Sequence, residues 1–235
     1  MAPRVAALIL AAGAGERVGG EGPKGFLEIG GRPMVAVAVA AAAACPEVDS
    51  LVVTTPAGLE HRAAEIVASV EVPVRIIQGG ASRQASVRLA LAALRPLRSD
   101  DVVVIHDAAR PFATPALFSA VVSAVRDADL GFAGAIPVVP VADTVKRVVG
   151  AEVLDAEPRE DLRAAQTPQA FRLGALRDAH ERAESEGREF TDDAGVVGWA
   201  GGRIVAVPGD PRNFKITTPD DLLRADALLW GSARA

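Results

Sequence analysis

Short apolar runs alternate with longer helical patterns along the first half of the chain, and this alternation restricts the fold more than any other feature. Residues 5–12 (VAALILAA) read as a strand buried on both faces. The pattern then predicts a helix over 33–45, a strand over 51–55, and a helix over about 57–69 opened by Pro56. A strand over 74–78, a helix over 82–94, a strand over 101–106 and a helix over 115–126 follow. Strands that alternate with helices imply an α/β fold with a mainly parallel sheet and helices on both faces. Ligands of such sheets bind beyond the carboxyl ends of the strands. That rule selects the loop after Ala12, the GGASR loop at 79–83 and HDAARP at 106–111.

The alternation breaks after Val138. Residues 140–162 hold strand-like pieces (144–149 and 152–154), turns and scattered charge, with too little apolar surface to cover a central strand. This segment reads as a protruding arm, either an ordinary surface hairpin or a contact with a second subunit. The core pattern then resumes with a charged amphipathic helix over 172–186 and strands over 203–207 and 214–217. The last helix starts at TTPDDL, with Thr218 as N-cap, Pro219 at the first helical position and Asp221 two residues on, a start of the capping-box kind. There is no repeat, low-complexity tract or linker, so the expectation is one domain over 1–235 with an arm.

Half of the 235 residues are hydrophobic, yet only 4% are aromatic and Tyr is absent, so Ala, Val, Leu and Ile must build the core. The net charge of −5 argues against a nucleic-acid partner, which needs a broad basic surface, and leaves room for a local cationic pocket. The single cysteine, Cys45, follows four alanines at the end of an apolar helix and reads as a buried structural thiol. One cysteine forms no internal disulfide, which fits a reducing, cytoplasmic setting. The apolar N-terminal run is too short for a membrane span and enters a glycine loop rather than a cleavage site.

The first loop fits neither familiar phosphate template. Gly13 and Gly15 begin like a dinucleotide fingerprint, but Val18 stands at the third glycine position and Gly20, Gly22 and Pro23 prevent an immediate helix. A Walker A loop needs Gly-Lys-Ser/Thr, whereas Lys24 lies between Pro23 and Gly25. What remains is a glycine loop whose backbone can approach phosphate oxygens, with two cations, Arg17 and Lys24. In HDAARP, Asp107 suits Mg²⁺ or a hydroxyl and Arg110 a phosphate, or the two form a salt bridge that shapes the turn. His106 has no ligand-spaced His or Cys nearby and reads as structural. His61 and His180 fall on charged helical faces and read as solvated. In GGASRQAS, Ser82 is an N-cap candidate and Ser86 a candidate nucleobase contact. The clusters TPQAF (167–171), TDDAG (191–195) and NFKITT (213–218) are caps or turns, or bring Thr167, Thr191 and Lys215 to a small polyol phosphate. No Gly-x-Ser-x-Gly elbow supports a hydrolase triad.

Together these segments resemble the 2-C-methyl-D-erythritol 4-phosphate cytidylyltransferase family of the non-mevalonate isoprenoid pathway. The resemblance runs in order along nearly the whole chain: LAAGAGERV, GPKGF, GGASRQASV, VIHDAARPF, DTVKR, QTPQAF, TDDAG and NFKITTPDDL. HDAARP is more similar to the methylerythritol enzymes than to their ribitol 5-phosphate relatives. The family implies a single nucleotidyltransferase-type, Rossmann-like domain, dimeric through the β-arm. It implies a reaction of CTP with methylerythritol phosphate that releases pyrophosphate, with Mg²⁺ or another divalent cation on the triphosphate. On the matching positions, Arg17 and Lys24 are implied to stabilise the transition state. Arg159 of the partner subunit and Lys215 are implied to hold the methylerythritol phosphate. Asp107, Arg110, Thr167 and Thr191 are implied as further substrate contacts. Ala11, Ala12, Gly13, Ala14, Gly15, Gly80, Ser86 and Ala108 are implied as CTP contacts. This chain departs from the pattern at Gly25, where Gln is common, and at Gly195, where Ser is common, and neither change removes a charged group. Three rival readings are a cytidylyltransferase for another polyol phosphate, a nucleotide-sensing protein without turnover, and a dinucleotide-dependent dehydrogenase, which the missing third glycine disfavours.

Overall fold

The computed structural model describes residues 3–13, 15, 22–94, 97–127, 131–156, 158 and 160–232. The first strand, β1 (Val5–Leu10), lies between β4 (Ser50–Thr55) and β6 (Val102–Asp107) and is parallel to both. Before β4 come β2 (Glu28–Ile29) and β3 (Arg32–Pro33), a small hairpin preceded by a 3₁₀ turn at Lys24–Phe26. β5 (Val74–Gln78) extends the parallel sheet beyond β4. On the other side of β6 the sheet continues through β11 (Gln169–Arg172), antiparallel to β6, to β7 (Phe132–Pro140). β7 also pairs with β10 (Arg163–Ala165), antiparallel, and with β12 (Arg203–Pro208), parallel. The result among the described residues is an eight-stranded, mainly parallel sheet.

Helices cover both faces because residues of β1 alternate between two apolar clusters, as the period of a strand requires. Val5, Ala7 and Ile9 join a cluster with α1 (Met34–Ala43) and α4 (Pro115–Arg126). Leu8 joins the opposite cluster with α3 (Arg83–Ala93), α5 (Leu173–Ser185) and α6 (Asp193–Trp199). α2 (Glu60–Ile66) is shorter than its sequence suggests: residues 56–59 form a turn, and the helix opens four residues after Pro56. α4 has Thr114 as N-cap, its hydroxyl accepting from the Leu117 N–H at 3.3 Å, and Pro115 in its first turn. The last helix, α7 (Pro219–Ser232), begins as expected: Asp221 N–H donates to the Thr218 hydroxyl, and the Asp221 carboxylate accepts from the N–H groups of Thr217 and Thr218. Cys45 is buried and free, as expected.

Three expectations fail for identifiable reasons. The cluster at 167–171 contributes a strand between β6 and β7 rather than a turn. Its buried Gln169 is satisfied there: its amide nitrogen donates to the Gln166 carbonyl and to Asp192, and its amide oxygen accepts from the Ala194 N–H. Residues 214–217 are not a strand: Phe214 and Ile216 are held by an apolar cluster next to α7, and the Ile216 N–H donates to the Ala109 carbonyl. His180 is buried rather than solvated, because α5 turns it toward Asp193. The predicted arm corresponds to β8 (Lys146–Val149) and β9 (Glu152–Ala156), an antiparallel hairpin separate from the main sheet.

His106 fixes the end of β6. Its buried ring packs at 5.1 Å, centroid to centroid, against Phe118 of α4. Nε2 faces the Arg110 carbonyl at 3.1 Å, and a carbonyl only accepts, so Nε2 carries the proton. Nδ1 then accepts from the Thr167 hydroxyl at 3.0 Å, and that hydroxyl accepts from the Asp107 N–H at 3.1 Å. Burial lowers the imidazole pKa from 6.5 to about 4, outweighing the attraction of Asp107. Between those values the unfolded chain binds a proton that the folded chain does not. Stability from this group is therefore complete above pH 6.5 and is lost as pH falls toward 4. Urea denaturation across this range is expected to show a slope of up to about 1.4 kcal/mol per pH unit from His106, and His106→Gln should remove that component. An unchanged slope in the variant would contradict the tautomer and burial assigned here.

Candidate active site

A cavity of about 570 Å³ opens where β1, β4, β5 and β6 end, as the switch from strand to loop in such a sheet requires. Ala11, Ala12 and Gly13 line it directly after β1, and Gly15 continues the same wall. Gly15 has φ of +80°, and a β-carbon there would lie 2.7 Å from Cβ of Lys24. Only glycine both adopts this backbone and lets Lys24 pack so closely. The Lys24 N–H also donates to the Gly13 carbonyl at 3.3 Å, so the loop and its lysine are held as a unit. Gly80 and Ser86 line the wall after β5. The Ser86 hydroxyl accepts from the Gly80 N–H at 3.0 Å and donates to the Ser82 carbonyl at 2.9 Å, while Ser82 caps α3. Ser86 thus shapes the turn that presents Gly80.

Asp107 and Lys215 complete the cavity from the end of β6 and the segment before α7. Lys215 Nζ lies 2.7 Å from Asp107 Oδ2, and Arg83 Nε lies 3.0 Å from Oδ1. Arg83 Nη1 reaches back 2.7 Å to Asp193 Oδ2, and His180 Nε2 lies 3.0 Å from Asp193 Oδ1. Burial alone would raise the pKa of both carboxyls. Arg83 and Lys215 more than offset this at Asp107 and hold it well below the usual carboxylate range. Arg83 and the bond from His180 do the same at Asp193. Burial opposes the charge of Arg83 in turn, but Asp193 and Asp107 raise its pKa further. All three groups are ionised at neutral pH. Of the charged side chains lining the cavity, Lys24, Arg83 and Lys215 are cations and Asp107 is an anion, so an acidic chain presents a cationic site here.

The remaining expected residues are distributed differently. Ala108 is fully buried and its N–H donates to the Leu10 carbonyl, while Ala109 takes the lining position. Thr167 is buried behind Asp107, with its hydroxyl engaged by His106 and the Asp107 N–H. Arg110 does not pair with Asp107. Its guanidinium donates to the carbonyls of Asn213 (2.9 Å) and Ala165 (3.1 Å), tying the pre-α7 segment to β10. Thr191 is exposed, next to Asp192, which caps α6 by accepting from the Gly195 N–H. Arg17, Ala14 and Arg159 lie outside the described residues. Asp107 does not match a metal ligand, because both of its oxygens face cations. Among the described residues no three His, Cys, Asp or Glu side chains cluster as a metal site.

Sequence reasoning passed over Arg83, which stands between the two serines that drew attention in GGASRQAS. One signal was present. A cation at the first position of a helix opposes the macrodipole, and such a placement needs compensation from elsewhere. Asp193 and Asp107, 110 and 24 residues away, supply it.

Residues 5–230 match the family model described as 2-C-methyl-D-erythritol 4-phosphate cytidylyltransferase. A protein of that name from Deinococcus radiodurans is 47% identical over 226 residues, covering 96% of this chain and 90% of its own length. A bifunctional enzyme IspD/IspF from Rhodopseudomonas palustris is 46% identical over 234 residues, covering 98% of this chain, and the chain spans 57% of that longer relative. Among solved structures, 4-diphosphocytidyl-2C-methyl-D-erythritol synthase from Anaerococcus prevotii superposes with a TM-score of 0.85 at 27% identity, covering 97% of this chain and 96% of its own. The cytidylyltransferase from Thermus thermophilus gives 0.76 at 35% identity, covering 95% of this chain and 98% of its own. With the family model, a relative 47% identical over nearly the whole chain and the mainly parallel sheet in agreement, the chain belongs to the 2-C-methyl-D-erythritol 4-phosphate cytidylyltransferase family.

Proposed function

We propose that the chain transfers a cytidylyl group from CTP to 2-C-methyl-D-erythritol 4-phosphate, giving CDP-methylerythritol and pyrophosphate for isoprenoid precursor synthesis. The observation that carries this reading is that Lys24 and Lys215, far apart in the sequence, line one cavity with Gly13, Gly15 and Gly80. A phosphate oxygen of the acceptor forms a bond to the α-phosphorus. The bond from that phosphorus to the bridging oxygen breaks, and its electron pair leaves with pyrophosphate. The acceptor phosphate is already an anion, so the obstacle is repulsion between polyanions rather than proton removal. Lys24 and Arg17 offset charge that builds at the α-phosphate and the leaving group, and Lys215 holds the acceptor phosphate. The donors around Asp107 do not fit a metal, so Mg²⁺ would be held by the triphosphate oxygens and would supply countercharge there. The carboxylate of Asp107 retains lone pairs for a substrate hydroxyl.

Assembly belongs to the same reading. Among the described residues the β8–β9 hairpin leaves Val148, Val149 and Val153 more than half exposed, with Val148 and Val153 paired across it. A second copy packed on these valines would bury them, and the family resemblance implies that Arg159 of the partner subunit serves the acceptor phosphate. Among the described residues no helix is long and apolar enough to cross a membrane. A cytoplasmic setting is consistent with the free thiol of Cys45.

Pyrophosphate release measured with the four nucleoside triphosphates and a panel of polyol phosphates should be fastest with CTP and methylerythritol phosphate. Preference for ribitol 5-phosphate would move the assignment to the neighbouring activity. Lys24→Ala is expected to lower kcat about a hundredfold or more with an unchanged fold, as for loss of one transition-state donor. Near-normal turnover would remove Lys24 from the reaction centre. Val149→Asp with Val153→Asp should yield a monomer in sedimentation and raise KM for the sugar phosphate more than KM for CTP. A variant that stays dimeric would exclude the hairpin as the interface.

A further inference from the structure

The charged groups around Asp107 form a continuous line through the protein. It runs from His180 on α5 to Asp193 on α6, then to Arg83 on α3, Asp107 at the end of β6 and Lys215 before α7, with contacts of 3.0, 2.7, 3.0 and 2.7 Å. Its far end is sealed: His180 and Asp193 are each 1% exposed. Its near end, from Arg83 to Lys215, lines the cavity.

Each carboxylate in this line uses its two oxygens on two different partners, and this decides what Lys215 can do. A buried carboxylate needs a compensating charge. If Lys215 were the sole cation on Asp107, turning its ammonium toward a phosphate would strand that carboxylate, and the lysine would be held back. Arg83 occupies Oδ1, so Asp107 stays compensated when Lys215 turns away. Arg83 is itself prevented from following the phosphate, because Asp193 grips the other arm of its fork.

We propose that Arg83, anchored from behind by Asp193, is a positioning residue that carries the countercharge of Asp107 and thereby releases Lys215 to the phosphate of the acceptor substrate. This rests on the cytidylyl-transfer reading and adds to it a residue that acts through Asp107 and Lys215 rather than on the reacting atoms.

The double variant Arg83→Gln/Asp193→Asn tests it, because it removes the cation and its anchor together and strands no carboxylate at position 193. In pyrophosphate-release kinetics, KM for methylerythritol phosphate should rise about tenfold, the effect of one weakened charge-assisted contact. KM for CTP should stay within about twofold, and Arg83→Lys should recover most of the loss. A purely structural role would shift both constants alike or only the melting temperature, and either result overturns the proposal. If the double variant does not fold, Asp193→Asn alone should raise the same KM by about threefold, and no rise overturns the proposal. Calorimetric titration with inorganic phosphate separates this from failure of the parent reading. The wild-type chain should bind phosphate more tightly than the variant, and the difference should vanish in a Lys215→Ala background. If the wild-type chain turned over no polyol phosphate with CTP, cytidylyl transfer would fall. Equal phosphate affinity in wild type and variant would overturn the role of Arg83.

Discussion

The carboxylate of Asp107 sits at the end of the strand next to the sheet centre, largely removed from water, and the arrangement of the cavity follows from how its charge is met. Arg83 approaches from α3 and Lys215 from the segment before α7, so one anion draws together parts of the chain 132 residues apart. Asp193 fixes Arg83 in turn. Breaking a buried pair of this kind leaves a bare charge and costs about 3–5 kcal/mol. The α3, α6 and β6 ends are therefore constrained to one mutual geometry by electrostatics as well as by packing.

That geometry explains how an acidic chain presents a cationic cavity. The parallel strands deliver their loops to one edge of the sheet, and glycines there admit close backbone approach. Lys24 is held against Gly15 by the absence of a side chain at that position. The cations are few but converge, and the partly enclosed, low-dielectric setting makes each of them count for more than it would on the surface. Net charge describes the surface of this protein, whereas the site depends on where the sheet ends.

Much of the fold was legible because its signals are local. The strand at 74–78 and the helix at 115–126 match the structure to the residue, since the β-branched run and the proline that opens the helix are written within each segment. The inserted antiparallel strand at Gln169–Arg172 was not legible, because its strand neighbours β6 and β7 and two partners of Gln169, Asp192 and Ala194, come from distant segments. His180 misled for the same reason: its helix reads as charged, and only the approach of Asp193 makes a buried position tolerable. In the site, the glycine loops, Lys24, Asp107 and Lys215 were found from motif order. The structural employment of the Thr167 hydroxyl and of the Arg110 guanidinium was not, since both bond to residues more than 50 positions away.

The sequence by itself determined the alternating α/β pattern, the helix caps, the glycine loops and the family, because periodicity, capping chemistry and ordered motifs act over short stretches of chain. Tertiary structure alone decided which charges meet. Arg83 is an uncompensated cation at a helix start until Asp193 and Asp107 arrive from distant segments. Burial then makes their pairing obligatory, since a charge taken out of water must find its partner wherever the fold brings one.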